Sequence, residues 1–99
     1  VIGNYAYPMN SDWSHEEIAL VVNLYSLIED AYERRARKED LCLAYQAFKR
    51  IVPSKSEEKQ LDKAFEEASG YSIYRTMKAT KEADIWVKME ESQRQKRRK

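Results

Sequence analysis

The sequence predicts an all-α fold: a small bundle of about four antiparallel helices with an extended N-terminal arm and a basic C-terminal tail. Three observations point there. The 99 residues hold only two Gly and two Pro, too little punctuation for hairpins or a sandwich. Apolar residues recur at intervals of three and four along most of the chain. Serines followed three residues later by glutamate stand where two of the periodic segments begin.

The first helix is expected from about His15 to Glu33. In "DWSHEEI", the Ser14 hydroxyl can accept the Glu17 amide while the Glu17 carboxylate reaches back to the Ser14 amide, a capping box. Trp13, just before the cap, is placed to pack on Ile18 as a hydrophobic staple. One stripe runs Ile18, Val21, Val22, Tyr25, Ile28 and Tyr32, and a second runs Leu20, Leu24, Leu27 and Ala31. At 100° per residue the two cover about 220°, against roughly 100° for an ordinary surface helix. Either the other helices wrap this one, or part of it meets a second subunit. Leu20, Leu24 and Leu27 are therefore candidate partner-binding residues.

"ERRARKED" is a charged break, and a second helix follows from near Lys38 to Ile51 with Leu41, Ala44, Tyr45, Phe48 and Ile51 inward. Pro53 ends it by disfavouring helical geometry at Val52. The third helix runs to about Ser69, with Leu61, Ala64, Phe65 and Ala68 inward, and Gly70 sits where a left-handed cap belongs. The fourth starts near Ser72 with Ile73, Tyr74 and Met77 inward. Periodicity does not decide whether "DIWVKM" extends that helix or forms a short extended segment. The division is thus an arm over 1–13, a helical domain over 14–89 and a disordered basic tail over 90–99.

Three stretches resemble a known family: "NYAYPMNSDWSHEEI", "AYQAFKRIVPSKSEEKQL" and "FEEASGYSIYR". Together they are similar to the YktA-like family of small, uncharacterised bacterial proteins. The match covers roughly Asn4 to Ala83 in order and spacing; the basic tail falls outside it. The resemblance implies a small all-helical cytosolic protein and supplies no activity, substrate or catalytic residue.

The chemistry legible in the residues is sparse. "PSKSEEKQ" contains Ser56-x-x-Lys59, the spacing of a serine nucleophile and its lysine base. The companion S-D-N and K-T-G motifs are absent, and Ser54 with Glu57 explains the stretch as a second capping box. No glycine lets backbone amides converge there on a phosphate. His15 is the sole histidine and reads as an exposed helix-start residue. The acidic pairs lack metal-ligand spacing, so no metal, cofactor or catalytic residue is assigned. Cys42 is alone, which excludes an internal disulfide and fits a reducing compartment. No apolar run approaches the ~18 residues of a membrane span, and the first ten residues lack a secretory-signal pattern, so the expected location is the cytoplasm.

Charge is unevenly spread. Arg94, Lys96, Arg97, Arg98 and Lys99 fall in the last six positions, leaving 13 basic against 17 acidic residues over 1–93. The body is a poor nucleic-acid surface, and only the tail is a candidate for phosphate. On the third helix, Lys55, Lys59 and Lys63 form a ridge beside Glu58, Asp62 and Glu66, with cross-ridge pairs Lys59–Asp62 and Lys63–Glu66 expected. That face is solvated or docks a protein, and the lysines are candidate contacts. Trp86 lies on no clear helical stripe; exposed, it is a candidate anchor. Tyr25, Tyr32, Tyr45 and Tyr74 fit core positions, while Tyr5 and Tyr7 alternate toward the bundle in the arm.

The expected function is a non-enzymatic protein-interaction module for an unidentified protein partner, with a homodimer through the first helix as one form of it. The alternative is weak, salt-sensitive nucleic-acid association through the tail. A small enzyme ranks last.

Overall fold

The computed structural model describes residues 7–89. Four helices account for most of them: α1 (His15–Glu33), α2 (Lys38–Ile51), α3 (Lys55–Ser69) and α4 (Ile73–Glu82). Two short strands, β1 (Ala36–Arg37) and β2 (Trp86–Val87), pair antiparallel with Ala36 opposite Val87 and Arg37 opposite Trp86. The all-α bundle is the architecture, with this two-residue ladder added at one end.

The helix starts follow their capping chemistry. Ser14 Oγ accepts the Glu17 amide at 3.1 Å and the Ser14 amide donates to Glu17 Oε1 at 2.9 Å, so the first capping box is complete. Gly70 ends α3 at φ 85°, ψ 0°, a left-handed conformation that costs a side-chain-bearing residue about 1–2 kcal/mol. Pro53 stands two residues past the end of α2, with the Val52 amide bonded back to the Phe48 carbonyl at 2.8 Å.

The core is built around α1. Val21, Leu24, Tyr25, Ile28 and Ala31 are buried against Leu41, Ala44 and Phe48 of α2, Leu61 and Phe65 of α3, and Ile73 of α4. The wide apolar surface of α1 is thus largely wrapped by its neighbours. Tyr25 stacks on Phe65 with centroids 4.6 Å apart, and Tyr7 lies 5.1 Å from Tyr25, which ties the arm to α1 and α3. The Tyr25 hydroxyl donates to the Pro8 carbonyl at 3.0 Å and the Tyr7 hydroxyl to Glu29 at 2.8 Å. Burial pushes both phenols above the ordinary tyrosine range. Tyr7 therefore faces the bundle as expected, while Tyr5 and the tail cations Arg94, Lys96, Arg97, Arg98 and Lys99 lie outside the described residues. Trp13 is buried in the core, and its amide closes a turn onto the Asn10 carbonyl at 3.1 Å, so the arm's end is not extended.

Two faces differ from expectation. On α3, Ala64 and Ala68 are exposed and only Leu61 and Phe65 are buried, because one i, i+4 pair suffices for the narrow contact this helix makes. On α4, Tyr74 is 66% exposed while Thr76 and Thr80 are buried beside Ile73. The threonines tolerate this because each hydroxyl donates to the carbonyl four residues back, Ser72 and Thr76, at 2.7 Å. Hydropathy ranks Tyr above Thr for burial, but position 74 points off the buried stripe that 73, 76 and 80 define.

Past α4 the chain runs extended. Ala83 has φ −83° and ψ 155°, and its carbonyl accepts from Lys38 Nζ at 2.8 Å. The Met89 amide reaches the Ala31 carbonyl at 2.7 Å, so "DIWVKM" does not extend α4 but returns to α1 as a short segment with β2 at its centre. Among the described residues no helix is long and apolar enough to cross a membrane.

Candidate functional site

The "PSKSEEKQ" stretch is the first turn of α3. Ser54 Oγ accepts the Glu57 amide at 3.3 Å, but Glu57 does not return the bond. Its carboxylate accepts instead from Asn10 Nδ2 at 3.0 Å, so the second capping box is half-formed and the spare carboxylate fastens the N-terminal turn. Ser56 and Lys59 are both exposed on this turn, where water rather than a cleft surrounds them.

The acidic ridge of α3 is used inside the fold. Glu58 accepts from Tyr45 Oη and from Lys49 Nζ, each at 2.6 Å, joining α3 to α2. Burial, and then the Glu58 bond, raise the Tyr45 phenol above its ordinary range. Asp62 faces α4 and accepts the Ile73 amide at 2.7 Å and the Tyr74 amide at 3.3 Å. The expected Lys59–Asp62 pair is therefore not made: a fixed helix amide outcompetes a mobile lysine for the same carboxylate. Lys55, Lys59 and Lys63 stay exposed. On α1, Leu24 is fully buried and cannot serve a partner, Leu27 is half-buried against the core, and Leu20 is 44% exposed.

Trp86 is the anchor candidate that the fold presents. Alternation along β2 turns Val87 into the core and Trp86 outward, where it is 43% exposed. The Arg35 guanidinium carbon stands 3.9 Å from its ring centroid and that of Arg37 5.8 Å away. Each such contact at an exposed site contributes about 0.5–1 kcal/mol. The same indole borders an open groove of about 470 Å³ between β2 and α4. Arg75, Lys78, Ala79 and Glu82, at i, i+3, i+4 and i+7, form the helical wall, and Trp86 and Lys88 form the strand wall.

Among the described residues the groove thus combines one large aromatic surface with several cations and a single carboxylate, Glu82. Such a set recognises anionic groups and a flat apolar contact. Among the described residues no group of three or more His, Cys, Asp or Glu is placed to hold a metal ion. Cys42 is half-buried on α2, away from the groove lining. Sequence reading singled out Trp86 but missed Arg35, Arg37, Lys78 and Lys88. The "RRAR" run that leads into and through β1 was the available sign for the first two; nothing in the sequence signals that α4 stands opposite Lys88.

Comparison with known proteins places this architecture. A model of an uncharacterised protein family, UPF0223, matches residues 4–89, through β2 and six residues beyond the Asn4–Ala83 span of the resemblance. The UPF0223 protein OB1419 of Oceanobacillus iheyensis is 53% identical over 81 residues, 82% of this chain and 92% of that protein. The protein str0998 of Streptococcus thermophilus is 52% identical over 79 residues, covering 80% and 85% of the two chains. YktA of Bacillus subtilis is 51% identical over 80 residues, covering 81% and 91%. With a match that runs from the arm to the end of the strand, the chain belongs to the UPF0223 family.

Proposed function

We propose that this chain is a non-enzymatic protein-interaction module whose docking surface is the groove beside Trp86. The observation that carries the reading is Trp86 itself, 43% exposed at the mouth of a cationic groove with two guanidinium groups at its ring. Tryptophan and arginine are the residues that most often dominate interface energetics. Leu20 adds an exposed apolar position on α1, but the burial of Leu24 takes away the middle of the stripe that a homodimer through that helix would use.

The test compares wild type with Trp86→Ala as bait in capture from a bacterial lysate at near-physiological salt. A partner recovered in stoichiometric amount by wild type and lost with the variant, at unchanged thermal midpoint, is the expected result. Equal recovery by both would refute the groove as the surface. Nucleic-acid association through Arg94, Lys96, Arg97, Arg98 and Lys99 is the second reading, supported by five cations in the last six positions. Deleting residues 94–99 should then abolish any salt-sensitive oligonucleotide binding; binding that survives the deletion refutes it.

A further inference from the structure

We propose that the groove's occupant is an extended acidic segment of a partner protein, added as a third strand to the free edge of β2. The inference rests on the docking reading above and specifies the chemistry of the ligand. Its first support is the ladder. Ala36 lies opposite Val87, and the Lys38 amide donates to the Ile85 carbonyl at 2.8 Å, so residues 85 and 87 direct their backbone groups at β1. In an antiparallel pair the intervening residues direct theirs the other way. Trp86 and, by the same alternation, Lys88 turn amide and carbonyl away from β1.

The second support is the groove's lining. Trp86, Val87 and Lys88 all border it, although Val87 sends its side chain into the core. Because Val87 is buried through its side chain, it borders the groove through its backbone, between the side chains of Trp86 and Lys88. The groove lies between this strand and α4, and among the described residues the strand's outer edge has no pairing partner. An edge strand left open is a template for pairing.

Charge selects the occupant. Lys78 and Lys88 flank the groove, with Arg35 and the Glu39-paired Arg37 at the Trp86 ring, against one lining carboxylate among the described residues, Glu82. Residues 1–93 as a whole carry four more acidic than basic residues, so this cationic region runs against the trend of the body. Trp86 and Lys88 share the outward face of the strand, so carboxylates on that face of the added segment meet Lys88 and the arginines at the Trp86 ring, while its alternate, apolar residues turn to the other face. A second copy of this chain pairing through β2 would set Lys88 and the Trp86-bound arginines near their own counterparts, which like-charge repulsion disfavours.

The experiment records amide spectra of the ¹⁵N-labelled full chain during titration with a blocked hexapeptide alternating glutamate and valine. Three peptide controls accompany it: lysine in place of glutamate, and backbone N-methylation at the odd or at the even positions. A short oligothymidylate is the fourth probe. The expected result is shifts centred on Trp86–Lys88 and the 78–82 turn of α4, with slowed hydrogen exchange at the Trp86 amide. One N-methylated peptide should lose at least about tenfold in affinity and the other bind as the parent does, since a strand pairs through one edge. Lys78→Glu with Lys88→Glu should weaken binding about tenfold or more. Equal binding by both N-methylated peptides overturns strand addition, and equal binding by the lysine peptide overturns the acidic ligand. Shifts at these residues with oligothymidylate alone would make the groove a nucleic-acid site instead. If no probe binds, the acidic-strand inference fails; Trp86-dependent capture persisting in that case would leave the docking surface standing with a different occupant.

Discussion

Asp62→Ala tests how the short helix α4 is started. The Asp62 carboxylate accepts the Ile73 amide at 2.7 Å and the Tyr74 amide at 3.3 Å, with Ser72 Oγ 3.4 Å away. Ser72 Oγ accepts the Arg75 amide at 3.2 Å, so all three amides of the first turn are satisfied, two of them by another helix. Alanine removes that acceptor. Tyr74 is 66% exposed and its amide can turn to water, but Ile73 is 1% exposed and its amide would be stranded. Stranding one buried donor costs about 1–3 kcal/mol, and losing a negative charge at a helix N-terminus about 0.3–1 kcal/mol more. The expected loss is about 2–3 kcal/mol, a fall in Tm of roughly 8–20 °C for a domain of this size. Asp62→Asn keeps an acceptor oxygen and should lose less than about 1 kcal/mol. Burial pushes the Asp62 carboxyl above the ordinary aspartate range despite its three donors. The folded protein then holds that proton more tightly than the unfolded chain. Between the unfolded value and the raised folded one, stability falls as pH rises, and the margin of wild type over Asp62→Asn narrows. Urea unfolding followed by circular dichroism from about pH 3.5 to about pH 6.5 spans this window. Alanine as stable as asparagine, or a wild-type margin that widens with pH, would refute the reasoning.

Three further variants probe the fold. Gly70→Ala places a side chain at φ 85° with no heavy atom within 4 Å of the new Cβ, so the cost is backbone strain alone, about 1–2 kcal/mol in a thermal melt. Gly70→Asn should recover part of that, and equal melts for glycine and alanine would contradict the left-handed cap. Thr80→Val keeps the buried volume and removes a bond to the Thr76 carbonyl, which retains its helical partner; the expected change is under about 1 kcal/mol by urea unfolding. A loss of several kcal/mol would mean the hydroxyl carries more than a local bond. Ser56→Ala, at an exposed position of α3, should shift stability by less than about 0.5 kcal/mol and leave any background ester hydrolysis unchanged. A drop in hydrolysis with that variant would reopen the serine–lysine reading.

The helix boundaries were legible because capping and breaking are local chemistry. Ser14 with Glu17, Pro53 and Gly70 act within a few residues of themselves, and α1 begins, and α2 and α3 end, where those residues require. What lay beyond reach was competition between distant groups. Glu57 sits at the right spacing to complete a capping box, yet Asn10, 47 residues earlier, takes its carboxylate. Asp62 sits at the right spacing for Lys59, yet the amides of α4 take it. For Asp62 the local partner is a solvated lysine whose pairing gains about 0.2–0.5 kcal/mol, and the distant one is the Ile73 amide, which burial would otherwise leave unsatisfied. Pattern reading ranks partners by sequence distance; the fold ranks them by what each would lose in water.

The same difference explains why the groove was only half visible. Trp86 stood out because it fitted no helical stripe, a local fact. Its surroundings depend on β2 returning to β1 across a gap of some fifty residues, and on the Met89 amide reaching the Ala31 carbonyl on α1. That return fixes which face of the strand turns outward, since a slip of one residue would bury Trp86 and expose Val87. The ladder's register is therefore what makes a surface out of the tryptophan. It is held by Val87 and Met89 in the core and by Lys38, whose amide and ammonium bind the Ile85 and Ala83 carbonyls. The core thereby positions the groove: the side chains that fix β2 are buried, and the backbone they fix has one edge without a strand partner among the described residues.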